Sequence, residues 1–262
     1  MIALLLALAA ETGASGDGRA SMAVDRPVSL VIRSNAAAVE VVRSPSGALA
    51  VSAPGQKIRL LVAGGDRVEV EFGGKRQLHH GTVKVELPRG SALDAGAISG
   101  QISVTDVGGP ARIRGMSGDV KIAGATEVDA ETVDGTVTAS AVSGPLRIHT
   151  VSGGVVVETS QPASRLDVET ASGNVHFRGP CGPGCQLDVD TVSGEVSFAL
   201  DRKSSLSARV VSTSGKVRDE LGLQLRRKTG ASEGDFAEGA LGAGDGLIEC
   251  ETFSGDVTFS AR

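Results

Sequence analysis

The sequence predicts an all-β protein: a β-solenoid of two-strand coils, each about twenty residues long, preceded by a β-rich N-terminal section. Three observations carry that expectation. Apolar and polar residues alternate in short runs, and no long stretch combines good helix formers with a period of 3.6. A phrase of strand, Ser-Gly corner and strand, clearest at residues 187–198, recurs through the last two thirds of the chain. The composition holds 36 Gly, six Phe and no Trp or Tyr, so the core must be layered from Val, Ile, Leu and Ala between tight turns. With 262 residues the chain is long enough to bury such a core.

Residues 1–24 read as a leader. The apolar run 1–10 has the length of a signal-peptide h-region, and Ala7-Leu8-Ala9 resembles a cleavage box, although no Lys or Arg precedes it. It is too short to span a bilayer, so no transmembrane segment is expected, and no Cys follows it as in a lipoprotein signal. The Gly-, Ser- and Ala-rich residues 11–24 are expected to be flexible. This leader predicts an extracytoplasmic location: periplasmic, cell-surface or secreted.

Residues 25–90 form the β-rich section, continuous with the solenoid. Runs at 28–33, 39–43, 49–53, 57–62, 67–72 and 82–87 are bounded by Gly, Pro, Asn or Ser turns. His79 and His80 stand beside Lys75 and Arg76 between two of these runs. Adjacent residues on a strand point to opposite faces, so they read as solvated loop histidines rather than a chelating pair.

The repeat occupies residues 91–262. Its corner glycines are Gly100, Gly118, Gly135, Gly153, Gly173, Gly194, Gly215 and Gly255, with Gly144 at the second corner of one coil. Most steps are 17 to 21 residues. Two and four places after each glycine come inward apolar residues, such as Val196 and Phe198. Seven and five places before it come others, such as Leu187 and Val189. Stacked coils bring these stripes into one continuous core. A strand that turns sharply needs positive φ, which only Gly adopts without steric cost, and a neighbouring Ser can bond local backbone. Thr132, Thr150, Thr170, Thr191 and Thr252 would stack as a structural ladder at that corner.

Outward positions carry charge. Six and four places before the glycine come Asp94; Arg112 and Arg114; Asp129 and Glu131; Arg147 and His149; Asp167 and Glu169; Asp188 and Asp190; Arg209; then Glu249 and Glu251. Stacked at strand spacing in chain order, these rungs mostly alternate in sign, which favours register and solubility. Asp167, Glu169, Asp188 and Asp190 are the exception, two adjoining acidic layers that read either as a solvated patch or as a Ca²⁺ site of oxygen ligands.

Cys181 and Cys185 flank a Gly-Pro loop and read as a small disulfide in an oxidising compartment, or else as two free thiols. Cys250 replaces an inward valine and reads as a buried core thiol. His149 and His176 are outward and face no nucleophile. The step from Gly215 to Gly255 is of double length and contains residues 218–246. The first part of this segment reads as an edge strand or short helix, and its Gly-rich remainder as a long mobile loop, either a candidate interaction site or a disordered excursion.

The phrases Val83-Lys84-Val85-Glu86-Leu87-Pro88, Ile98-Ser99-Gly100-Gln101-Ile102, Val192-Ser193-Gly194-Glu195-Val196 and Phe253-Ser254-Gly255-Asp256-Val257 resemble the bacterial family of adhesin-like β-strand-repeat domains of unknown function. The resemblance covers about residues 27–262. It implies a solenoid-like fold in an exported or envelope-associated protein, sometimes linked with envelope stress, and it supplies no catalytic residues. The expected function is therefore a non-enzymatic binding or scaffold module at the envelope, with an unknown protein or glycan ligand and no cofactor. An envelope-stress sensor is the alternative, and a β-helix carbohydrate-active enzyme a weaker one, since aromatic sugar platforms are nearly absent. A net charge of -5 from interspersed residues, without a basic face, argues against a nucleic-acid partner.

Overall fold

Residues 18–73, 81–229 and 235–262 are described by a computed structural model. Residues 1–17, which hold most of the expected leader, and His79 and His80 lie outside the described residues. The N-terminal section comprises β1 (Arg19–Met22), β2 (Ser29–Ser34), β3 (Ala38–Arg43), β4 (Leu49–Ser52), β5 (Ile58–Val62), β6 (Arg67–Phe72) and β7 (Thr82–Leu87). The regular coils follow as β8 (Ala92–Ser99), β9 (Ile102–Thr105), β10 (Pro110–Ser117), β11 (Val120–Ala123), β12 (Glu127–Thr132), β13 (Val137–Ser140), β14 (Leu146–Thr150), β15 (Val155–Glu158), β16 (Arg165–Ser172), β17 (Val175–Gly179), β18 (Gln186–Ser193) and β19 (Val196–Leu200). The chain closes with β20 (Leu206–Ser212), β21 (Val217–Asp219), β22 (Arg226–Thr229), β23 (Asp235–Leu241), β24 (Gly246–Ser254) and β25 (Val257–Ala261).

Each coil sends one strand to each of two sheets. The second strand of each coil joins a 12-stranded sheet ordered β1-β4-β7-β3-β9-β11-β13-β15-β17-β19-β25-β21. The first strands form a 13-stranded sheet ordered β22-β23-β20-β24-β18-β16-β14-β12-β10-β8-β2-β6-β5. Successive coils pair in parallel and in exact phase with the repeat, Leu166 on Leu187 and Val175 on Val196. The period-2 stripes thereby meet between the sheets, where Leu166, Leu187, Val189, Val196 and Phe198 are all buried. Each such side chain contributes roughly 1.5–3 kcal/mol of transfer free energy.

The eight corner glycines stand in one column, but positive φ explains only half of them. Gly100, Gly118, Gly135 and Gly194 have φ between 117° and 138°, whereas Gly153, Gly173, Gly215 and Gly255 are not left-handed. The requirement common to the column is close approach between coils. A Cβ on Gly118 would lie 2.5 Å from the carbonyl oxygen of Gly100, and one on Gly194 would collide with that of Gly173. The adjacent serines bond across coils rather than locally: Ser117, Ser152 and Ser193 donate to the carbonyls of Ile98, Val133 and Ala171. The threonine column is buried, with Thr132 and Thr191 donating to the carbonyls two residues on.

Chain order and stacking order differ at both ends. At the N-terminal end β2 and β3 lie directly against β8 and β9, while the later strands β6 and β7 stack outside them. Antiparallel β4 and β5 close that outer coil, and β1 pairs antiparallel with β4. Residues 19–22, expected within a flexible leader, are therefore a strand, whose Ala20 and Met22 are buried in the core.

The C-terminal end corrects the expected ladder. The last coil, β24 and β25, inserts between β18–β19 and β20–β21. The physical reason is at Asp219, which occupies the inward place held by Phe198 and Phe259 in the other two coils. An internal position would bury its carboxylate between rings. At the end of the stack it stays partly exposed and accepts hydrogen bonds from the amides of Leu221 and Gly222. Phe259 instead stacks on Phe198, with ring centroids 5.1 Å apart.

The expected long loop at 218–246 is also largely ordered structure. Within its first part Arg226–Thr229 form the short edge strand β22, with no helix among the described residues, and residues 235–241 form β23, antiparallel to β20 from Leu206–Leu241 to Ser212–Asp235. Leu223 and Ala237, both within this excursion, are buried, so it caps the end of the core as terminal repeats of a solenoid must. Among the described residues no helix is long and apolar enough to cross a membrane.

Candidate functional site

The outward face of the 13-stranded sheet concentrates the chemistry of this molecule. Residues six, four and two places before the corner glycine project from it in three parallel columns, because alternate residues of a strand share a face. Through the first coils the two charged columns are compensated. Arg33 pairs with Asp94 at 2.9 Å, Arg112 with Asp129 at 2.9 Å and Arg114 with Glu131 at 3.3 Å. Arg147 reaches Asp167 at 3.6 Å, and Nδ1 of His149 lies 3.1 Å from Glu169.

Beyond this point compensation stops. The inserted β24 sets Asp188 beside Glu249 and Asp190 beside Glu251, while β16 sets Asp167 and Glu169 against Asp188 and Asp190. The two acidic layers expected from the sequence are thus three. Arg209, expected between the rungs of β18 and β24, faces Glu249 from the far side and stacks over Phe236 at 5.5 Å. Among the described residues, Asp188, Asp190, Glu249 and Glu251 make no ion pair. Partial burial, then the charges of Asp167 and Glu249, raises the carboxyl of Asp188 above its ordinary pKa of 3.8. Asp190 is raised by the same burial and by Asp188 and Glu251.

The six carboxylates do not converge on a point. They lie in two columns across three strands, and among the described residues no group of three or more His, Cys, Asp or Glu is arranged to hold a metal ion. Cys181 and Cys185 are joined by a disulfide that closes the loop between β17 and β18, with Cα atoms 5.4 Å apart. Cys250 packs in the core below Asp190, and burial pushes its thiol up to about 12. Nδ1 of His176 lies 2.6 Å from Oγ of Ser197 on the opposite sheet, away from these carboxylates.

The third column is apolar and was not singled out from the sequence. Ile98, Met116, Val133, Val151, Val192 and Phe253 stand in line with exposures from 46% at Val133 to 62% at Phe253; exposed Ala171 fills the place between Val151 and Val192, and Thr213 ends the column beside Phe253. The signal was present, since each lies two places before a corner glycine. It was hidden because the inward stripes alone account for folding. At the acidic end the two features enclose an open groove of about 580 Å³, with Glu169, Asp190 and Glu251 on one side and Ala171, Val192 and Phe253 on the other.

Residues 76–260 match the family model described as Toastrack DUF4097. No curated protein matches the sequence. Among solved structures, a protein of Clostridium sporogenes provisionally named for cell adhesion aligns over 93% of this chain and 99% of its own, at 8% identity and a TM-score of 0.28. That likeness is too loose to carry a functional argument.

Proposed function

Because the chain belongs to the Toastrack DUF4097 family, we propose that it is a non-enzymatic, adhesin-like binding or scaffold module working outside the cytoplasm at the cell envelope. The observation that carries this reading is the apolar corner column. Single exposed hydrophobics are ordinary, but a continuous line of them on a rigid sheet is the property of an interaction surface. Its backbone is held by parallel pairing on both sides, so the face is offered to a partner without an ordering cost. The carboxylates lie side by side along this open face instead of across a cleft, which is not the arrangement of a glycosidase pair. The export-like run at residues 1–10 and the loop disulfide both favour an oxidising, extracytoplasmic compartment.

The test is cell fractionation of the tagged full chain, with the thiols trapped at lysis. The expected result is protein in the periplasm, envelope or medium, with Cys181 and Cys185 oxidised. Recovery solely in the cytosol would refute the location.

A further inference from the structure

The groove at the acidic end has a composition that selects its occupant, and we infer that it docks a cationic amphipathic helix of a partner protein. This deepens the binding reading above and rests on it. Three observations fit together. One wall is a line of carboxylates, of which Asp190 and Glu251 have no cation among the described residues, and the neighbouring column adds Asp188 and Glu249. The other wall is the apolar line of Ala171, Val192 and Phe253. A ligand that satisfies both must carry positive charge along one edge and apolar side chains along the next.

The spacing decides the conformation of that ligand. Rungs of the stack recur every ~4.8 Å along the groove. A helix presents one residue of each stripe per turn of ~5.4 Å, whereas an extended strand presents a same-face residue only every ~6.7 Å. A helix lying along the stack thus keeps near step with three rungs, which span about 10 Å, and needs about two turns to cover them. Its i, i+3, i+7 apolar stripe would meet Val192 and Phe253, while Lys or Arg on the adjoining stripe reach Asp190 and Glu251.

Other occupants match less well. An anionic bilayer would be repelled by the six carboxylates. A second copy related by a two-fold axis through the groove would set those carboxylates against themselves. A glycan would find one aromatic ring, Phe253, and no second beside it in the column.

Binding is read by fluorescence anisotropy on the full chain at about 50 mM salt. The probe is a labelled helical peptide of Leu and Lys, about 14 residues long, with Leu at i, i+3, i+4 and i+7. A shuffled peptide of identical composition and vesicles of phosphatidylglycerol serve as competitors. The striped peptide should bind, weaken with rising salt and outcompete the shuffled one. The combined change Asp188→Asn, Asp190→Asn and Glu251→Gln should raise Kd by about tenfold or more, as loss of several charge pairs requires. Phe253→Ser should weaken binding without altering thermal stability, because its ring is exposed. Glu158→Gln, on the other sheet, should leave Kd unchanged.

Equal binding of the two peptides, an unaltered Kd in the triple variant, or preferential capture by the anionic vesicles would overturn the inference. Thermal unfolding of each variant confirms that a loss of binding is not a loss of fold. An exported, oxidised protein that ignores the striped peptide would sink this partner and leave the envelope reading standing, since fractionation reads location independently.

Discussion

If the last coil truly inserts ahead of its place in the chain, Phe198 and Phe259 must be energetically coupled. The perturbation is a double-mutant cycle with Phe198→Leu and Phe259→Leu, which keeps both sites apolar and removes the rings. Both side chains are fully buried, and their rings are stacked at 5.1 Å with an interplanar angle of 14°. An aromatic pair in such geometry contributes about 0.5–1.5 kcal/mol beyond the area it buries, and that term should appear as the coupling energy. Each single change should cost less than the ~3–5 kcal/mol of a Phe→Ala truncation, keeping the variants folded and measurable. Urea unfolding followed by far-UV circular dichroism supplies the four free energies, with equal slopes required before they are compared. Had the coils stacked in chain order, the strand of Val217–Asp219 would separate the two rings by two rung spacings, about 9.6 Å, with Asp219 between them. Coupling below about 0.3 kcal/mol, the scatter of independent sites, would therefore refute the insertion.

Three further outcomes follow from the same structure. Asp188 and Asp190 have folded-state pKa values raised above 3.8, so their ionisation disfavours the fold, and stability should increase as pH falls from neutral through those raised values. Asp201 and Asp256 are lowered, by a hydrogen bond from Arg262 and by the amide of Lys216 respectively. Their stabilisation is present above 3.8 and lost below it, so melting temperature should peak at mildly acidic pH; a monotonic fall from pH 7 would contradict this. Gly194→Ala must adopt φ of 138° and press its Cβ on the carbonyl of Gly173, costing at least about 1–3 kcal/mol, whereas Gly154→Ala, whose nearest neighbour is 3.8 Å away, should be nearly neutral in the same denaturation assay. Without reductant the native protein should show no thiol reactive toward Ellman's reagent, and the unfolded protein one, because Cys250 is 1% exposed and the other two cysteines are bridged.

What the sequence determined by itself was the coil. Spacing of glycines and period-2 stripes suffices to place strands such as Arg67–Phe72 and Gln186–Ser193, because each repeats one local pattern that only a layered β core can bury. The charge ladder was legible for the coils from β8 to β18, where chain order equals stacking order. What only the tertiary structure decided was the order of the ends. Stacking energy depends on which rungs become neighbours, and local periodicity is the same whether a coil is internal or terminal. Asp219 at an inward place was the clue that its coil belongs outside, but its meaning needs the ring of Phe198 beside it. From that one reordering come the third acidic rung, Glu249 and Glu251, and the position of Phe253 next to Val192. The candidate site is thus assembled by long-range pairing between β18 and β24, which no window of the sequence contains.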